Sequence, residues 1–112
     1  MISSVPIKEA RRILHDTEST GYRWSDAQLI KYLNEAQYDL RHKRPEFWLD
    51  SAGSLQDLVV VVSLSTETLL EDRISDKLAS FIVFKALSED DADTENLNRA
   101  NIHKSQYDEL TR

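Results

Sequence analysis

Trp24-Ser25-Asp26-Ala27-Gln28-Leu29 carries the clearest structural signal in the chain. Ser25 followed three positions later by Gln28 is a capping box, in which each side chain satisfies a backbone N–H at the other residue. Trp24 before the cap and Leu29 at the fourth helical position have the spacing of a hydrophobic staple. Asp26 adds negative charge at the positive end of the helix dipole. A helix therefore starts here, and Leu29, Leu33, Ala36 and Leu40 give it one apolar face. Arg41, His42, Lys43 and Arg44 bring positive charge to its end and Pro45 stops it, so it spans residues 25–43.

Helical spacing recurs on both sides of this element. Upstream, Ile7, Ala10, Ile13 and Leu14 predict a helix over 5–15, with Arg11 and Arg12 outward, Ser4 as a cap and Pro6 in the first turn. The polar stretch His15 to Arg23 ends it, and Gly21 permits a turn with positive φ. Downstream, Ile74, Leu78, Phe81, Ile82 and Lys85 share a stripe, with Phe84 and Leu87 beside it, predicting a helix over 71–88. The acidic link 88–93 leads to a last helix over 94–110. Thr94 is its cap, and Leu97, Ala100, Lys104, Tyr107 and Leu110 lie along one side.

Residues 46–69 read differently. Phe47 and Trp48 are large apolar groups in a segment that cannot be a long helix, and Ser51-Ala52-Gly53-Ser54 is a turn. Leu58-Val59-Val60-Val61-Val62-Ser63-Leu64 is dominated by β-branched residues and predicts a strand. A single strand needs a partner, either a short strand around Phe47–Asp50 or a strand from a neighbouring subunit. The expected fold is mainly α: one domain over 1–112, four helices, and a short β segment or hairpin between the second and third.

A length of 112 residues suits one domain with one modest core. Two Gly and two Pro argue against an all-β or loop-rich chain. With no Cys, disulfides, zinc–thiolate sites and cysteine catalysis are excluded, and stability must come from packing. The net charge of −6 is uneven: residues 1–50 carry eight basic and eight acidic side chains, residues 51–112 six and twelve. An acidic chain grips phosphate poorly, because such affinity comes from Lys and Arg displacing counterions. Nucleic acid moving through a non-adhesive channel remains compatible with it. Met1–Ala10 lacks the apolar run of a signal peptide, and Leu58–Val62 is too short to span a bilayer, so a soluble chain is expected.

Residues that could form chemical motifs have plainer structural roles here. Asp91, Asp93 and Glu95 have the alternating start of a calcium loop, but Asn96 replaces its glycine and Ile102 its closing glutamate. His15, His42 and His103 fall on different helices and form no ligand pair. Gly21 and Gly53 are isolated, so no phosphate-cradling loop exists. Asp72 and Asp76 read as the wet face of a helix, and the helix after Trp24 carries too few donors to read DNA. No catalytic, cofactor or metal residue is expected. The candidate subunit interface is Phe47, Trp48, Val59, Val60, Val61 and Val62, and Arg41, Lys43 and Arg44 form a candidate basic contact patch.

Three stretches resemble the small head–tail adaptor (connector) proteins of tailed bacteriophages. The first is Ala10-Arg11-Arg12-Ile13-Leu14-His15-Asp16, and the second runs Arg23-Trp24-Ser25-Asp26 through Tyr32-Leu33-Asn34 to Ala36-Gln37. The third is Arg44-Pro45. Leu78 to Asp90 is similar to the family's apolar third helix with its acidic exit, and Asn96 to Tyr107 to its closing helix. Residues 46–69 depart from the pattern, being shorter than the sheet-containing insertion of longer relatives. The resemblance implies a non-enzymatic, dodecameric ring in the virion neck, assembled in the host cytoplasm. Its partners would be the portal protein and a downstream tail or nozzle protein, with DNA as a passing cargo and no membrane. The competing expectation is a small helical interaction or regulatory module of the antitoxin kind, which would be a monomer or dimer.

Overall fold

A computed structural model describes residues 1–17, 21–89 and 94–111, without the side chains of 94–96. Four helices account for most of it: α1 (Ser4–Leu14), α2 (Asp26–Lys43), α3 (Ser75–Glu89) and α4 (Thr94–Thr111). Short 3-10 turns at Pro45–Trp48 and Asp72–Ile74 follow α2 and precede α3. The architecture is mainly α, as the periodicity predicts.

Helix α2 starts as its sequence dictates. Gln28 N–H donates to Ser25 Oγ at 3.2 Å and Ser25 N–H to Gln28 Oε1 at 2.9 Å, completing the capping box. Trp24 and Leu29 are both buried, and Leu33, Ala36 and Leu40 continue the buried face. Helix α3 is the central element and packs against α1, α2 and α4. That position explains why Leu78, Ala79, Phe81, Ile82, Val83, Ala86 and Leu87 are all buried, rather than one stripe alone. Its two lysines reach neighbours: Lys85 pairs with Glu35 at 3.3 Å and Lys77 with Glu109 at 2.8 Å. From α4, Tyr107 is buried on the Phe81 ring, 4.8 Å between centroids, and donates to Asp39 of α2 at 2.8 Å. Burial raises the Tyr107 phenol, and its bond to Asp39 acts in the same direction.

Several local expectations are corrected. Arg11 is buried, not outward: it donates to Asp16 at 2.8 Å and Asp26 at 2.7 Å, and the Tyr22 ring covers its guanidinium at 3.5 Å. Two carboxylates brought together by the α1–α2 corner balance the charge that burial would otherwise penalise. Asp16 also accepts from the N–H groups of Arg23 and Trp24, at 2.9 and 3.2 Å, so one carboxylate shapes the entry to α2. The positive φ after α1 belongs to His15 (54°), not Gly21. Ser4 opens α1 rather than capping it, and Ser3 at the cap position donates instead to the Ser63 carbonyl at 2.7 Å. Leu97 is exposed, because the buried line of α4 begins at Ala100. The expectations on Asp91, Asp93, Glu95 and the Thr94 cap lie outside the described residues.

Between α2 and α3 the described residues contain no strand ladder, only isolated antiparallel bridges at Leu49–Leu55 and Ile2–Glu67. Phe47 and Trp48 form a 3-10 turn, so they cannot serve as a partner strand for 58–64. The predicted turn at Ser51–Ser54 is present: Asp50 Oδ1 accepts from Ala52 and Ser54 N–H at 2.9 and 2.8 Å, and Gly53 takes φ 80°. That left-handed angle is the reason a glycine suits the position.

Candidate interaction surface

The β-branched run is held by the side chains of a helix. Asn34 makes a two-way bond to Val61, accepting its N–H at 2.8 Å and donating to its carbonyl at 2.9 Å. One turn on, Gln37 donates to the Val59 carbonyl at 3.1 Å, and Arg41 donates to the Gln56 carbonyl at 2.9 Å. Asn34, Gln37 and Arg41 are spaced three and four apart, the ladder of one helix face. Asn34 and Gln37 meet backbone groups at alternate residues, Val61 and Val59, the period of an extended strand, and Arg41 reaches Gln56 three residues further back. The side chains of α2 thus stand where a partner strand would stand.

The N-terminal segment closes the other end of this region. Ser3 N–H donates to Thr66 at 2.9 Å, Ser4 N–H to Leu64 at 3.0 Å, and Thr68 N–H to Met1 at 2.8 Å. Two stretches without a charged side chain are thereby brought side by side: Met1–Ile7 and Leu58–Thr66, the latter the longest such stretch in the sequence. Ile2, Val5, Val60, Val62 and, just beyond, Leu69 are exposed there. Apart from the exposed Ser63 and Ser65 and the Met1 ammonium, which pairs with Glu67 at 2.8 Å, these stretches present apolar side chains on a chain of net charge −6.

The predicted interface residues separate into three groups. Trp48 (1% exposed) and Val61 (2%) belong to the chain's own core, and Phe47 and Val59 are half-buried. Val60 (48%) and Val62 (80%) face solvent. Phe47 is flanked by the guanidiniums of Arg44 and Arg73, 5.5 and 5.7 Å from its ring centre. The predicted basic patch is engaged within the chain. Arg41 holds Gln56, Lys43 pairs with Asp39 at 3.1 Å, and Arg44 pairs with Glu46 and donates to the Leu110 carbonyl at 2.9 Å. These bonds make its cations parts of the scaffold more than a free anion site.

Tyr38, Arg41, His42 and Leu58 line an open cleft of about 450 Å³ beside the extended run. His103 is half-buried on α4, with burial pushing its imidazole below the ordinary value against the opposing bond to Gln106. Among the described residues no three His, Cys, Asp or Glu side chains are grouped to hold a metal, and no helix is long and apolar enough to cross a membrane. Sequence reasoning missed Asn34 and Gln37. The available signal was two amide side chains flanking the otherwise apolar line Leu33–Ala36–Leu40, with Gln37 fully buried. Comparison with family models, curated proteins and solved structures gives no match for this chain.

Proposed function

We propose that this chain is a structural, non-enzymatic subunit that joins copies of itself into a ring in the head–tail connector of a tailed phage. The observation that carries the reading is the surface without charged side chains formed by Met1–Ile7 and Leu58–Thr66 on an acidic chain. Like-charged copies repel except where charge is missing, so the place for a contact between copies is this surface. Residues 58–62 complete a β segment when a neighbouring chain pairs with their free edge, which reconciles the β-branched run with a fold lacking a second strand. Contact between this surface and a different surface of the next copy is head to tail, the geometry that closes a ring. The acidic remainder suits a channel that DNA passes without adhering.

The resemblance of Trp24–Gln37 to phage adaptors supplies the portal as the platform and DNA as the cargo. Negative-stain microscopy of the purified protein, alone and mixed with portal protein, tests the reading. Rings with a central hole, seated on the portal, are the expected result. Monomers or dimers in both samples would overturn it and favour the small regulatory module.

A further inference from the structure

Val59 and Val61 direct backbone groups toward α2, so Leu58 and Val60, one residue out of phase, direct theirs to the opposite edge. Among the described residues, the N–H and C=O of Leu58 and Val60 have no hydrogen-bond partner. The inner edge is pinned by Asn34, Gln37 and Arg41, and the outer edge is displayed in extended form with Val60 exposed. An edge held ready in this way loses little freedom when it pairs.

We propose that this outer edge is capped by the same edge of a second copy, antiparallel, about a two-fold axis at Val60. Charge selects a second copy. Two chains of net charge −6 repel over most of their surfaces, and Leu58–Thr66 carries no charge to oppose contact. Register selects the geometry. Pairing centred on Val60 sets Leu58 opposite Val62 and Asp57 opposite Ser63, so apolar residues meet and no like charges face each other. The two Val60 residues exchange N–H and C=O bonds, and Leu58 N–H of each copy donates to the Val62 carbonyl of the other. Val62 N–H stays with Thr66 Oγ1 at 3.2 Å.

The pair goes beyond the ring reading, since a two-fold contact is closed and cannot grow into a cyclic ring. It is a resting form of the free subunit, occupying the edge that ring assembly uses. That consequence rests on the proposed function; the pair itself does not.

The absence of cysteine makes a direct test available. Val60→Cys and Val62→Cys change exposed positions, so both variants keep the fold. In the proposed register the two residues at position 60 have Cα atoms about 5.5 Å apart, within disulfide range. The residues at position 62 are about 14 Å apart, outside it. Full-length variants are oxidised with glutathione disulfide and resolved on a non-reducing gel. The expected result is about tenfold more covalent dimer for Val60→Cys than for Val62→Cys, the discrimination that disulfide geometry imposes. No dimer from Val60→Cys, or equal dimer from both, overturns the pair. Reduced protein mixed with portal then tests the ring by itself: absence of rings there counts against the proposed function and leaves the cross-link result standing. The oxidised Val60→Cys dimer should form no rings until reduced, and rings from it would overturn the resting-form role.

Discussion

The entry to α2 and the extended run at 56–66 satisfy their backbones in opposite ways. At 24–28 every bond of the capping box lies within three residues, and the helix that follows bonds to itself. At 56–66 local bonds hold the turn at 62–66, but other partners come from far along the chain: Asn34 is 27 residues from Val61, and Ser3 lies 63 from Thr66. The capping box of the first region forms from its own sequence, with Asp16 and Arg11 added at Trp24 and Asp26. The second exists only after α2 and the N-terminal segment are in place, and one of its edges is still open. The contact we propose uses the second, because a segment that relies on borrowed partners is also the one able to accept another.

The contrast can be broken or sharpened by mutation. Trp24→Ala carries the largest expected effect, a loss of about 3 kcal/mol from removing a buried aromatic, read by chemical denaturation. A variant as stable as the wild type would mean the staple contributes nothing. Asn34→Leu comes next, at about 2 kcal/mol, because Val61 N–H and C=O lose their shared partner. Its distinguishing mark is local: amide exchange at Val61 accelerates while the α2 amides stay protected. Uniform acceleration along α2 would show that the two regions unfold as one and that the contrast is false. Ser25→Ala should cost about 1 kcal/mol, the usual worth of an N-cap, visible in the same denaturation series. Val62→Ser should change monomer stability by less than about 0.5 kcal/mol, as expected for an exposed site, yet weaken self-association in sedimentation experiments. Unchanged association would move the contact away from this edge.

Legibility followed the range of the interactions. The Ser25–Gln28 box, the buried face Leu29–Leu40 and the stop of α2 before Pro45 were readable, because each depends on residues a turn or less apart. Arg11 was not. Its position beside Arg12 suggests solvent, and only the corner between α1 and α2 brings Asp16 and Asp26 to it. Leu97 failed in the other direction: it fits the periodicity of α4 but is exposed, whereas Ala100 and Tyr107 are buried. At the candidate site, the β-branched run announced an extended segment and its composition announced an exposed one. Which of its valines were free could not be read, since Val60, Val61 and Val62 are chemically identical and differ only in what lies against them.

Sequence by itself determined a mainly helical chain, the start and apolar face of α2, the turn at 51–54 and an uncharged β-branched run on an acidic protein. These are consequences of local sterics, capping and hydrophobic period, which act between near neighbours and need no knowledge of the rest of the fold. Tertiary structure alone decided that Arg11 and Gln37 are buried, that the amides of α2 replace a partner strand, and that Val61 is core while Val60 and Val62 remain outside. Burial and long-range hydrogen bonding depend on which distant surfaces meet, and that is settled only when the helices pack around α3.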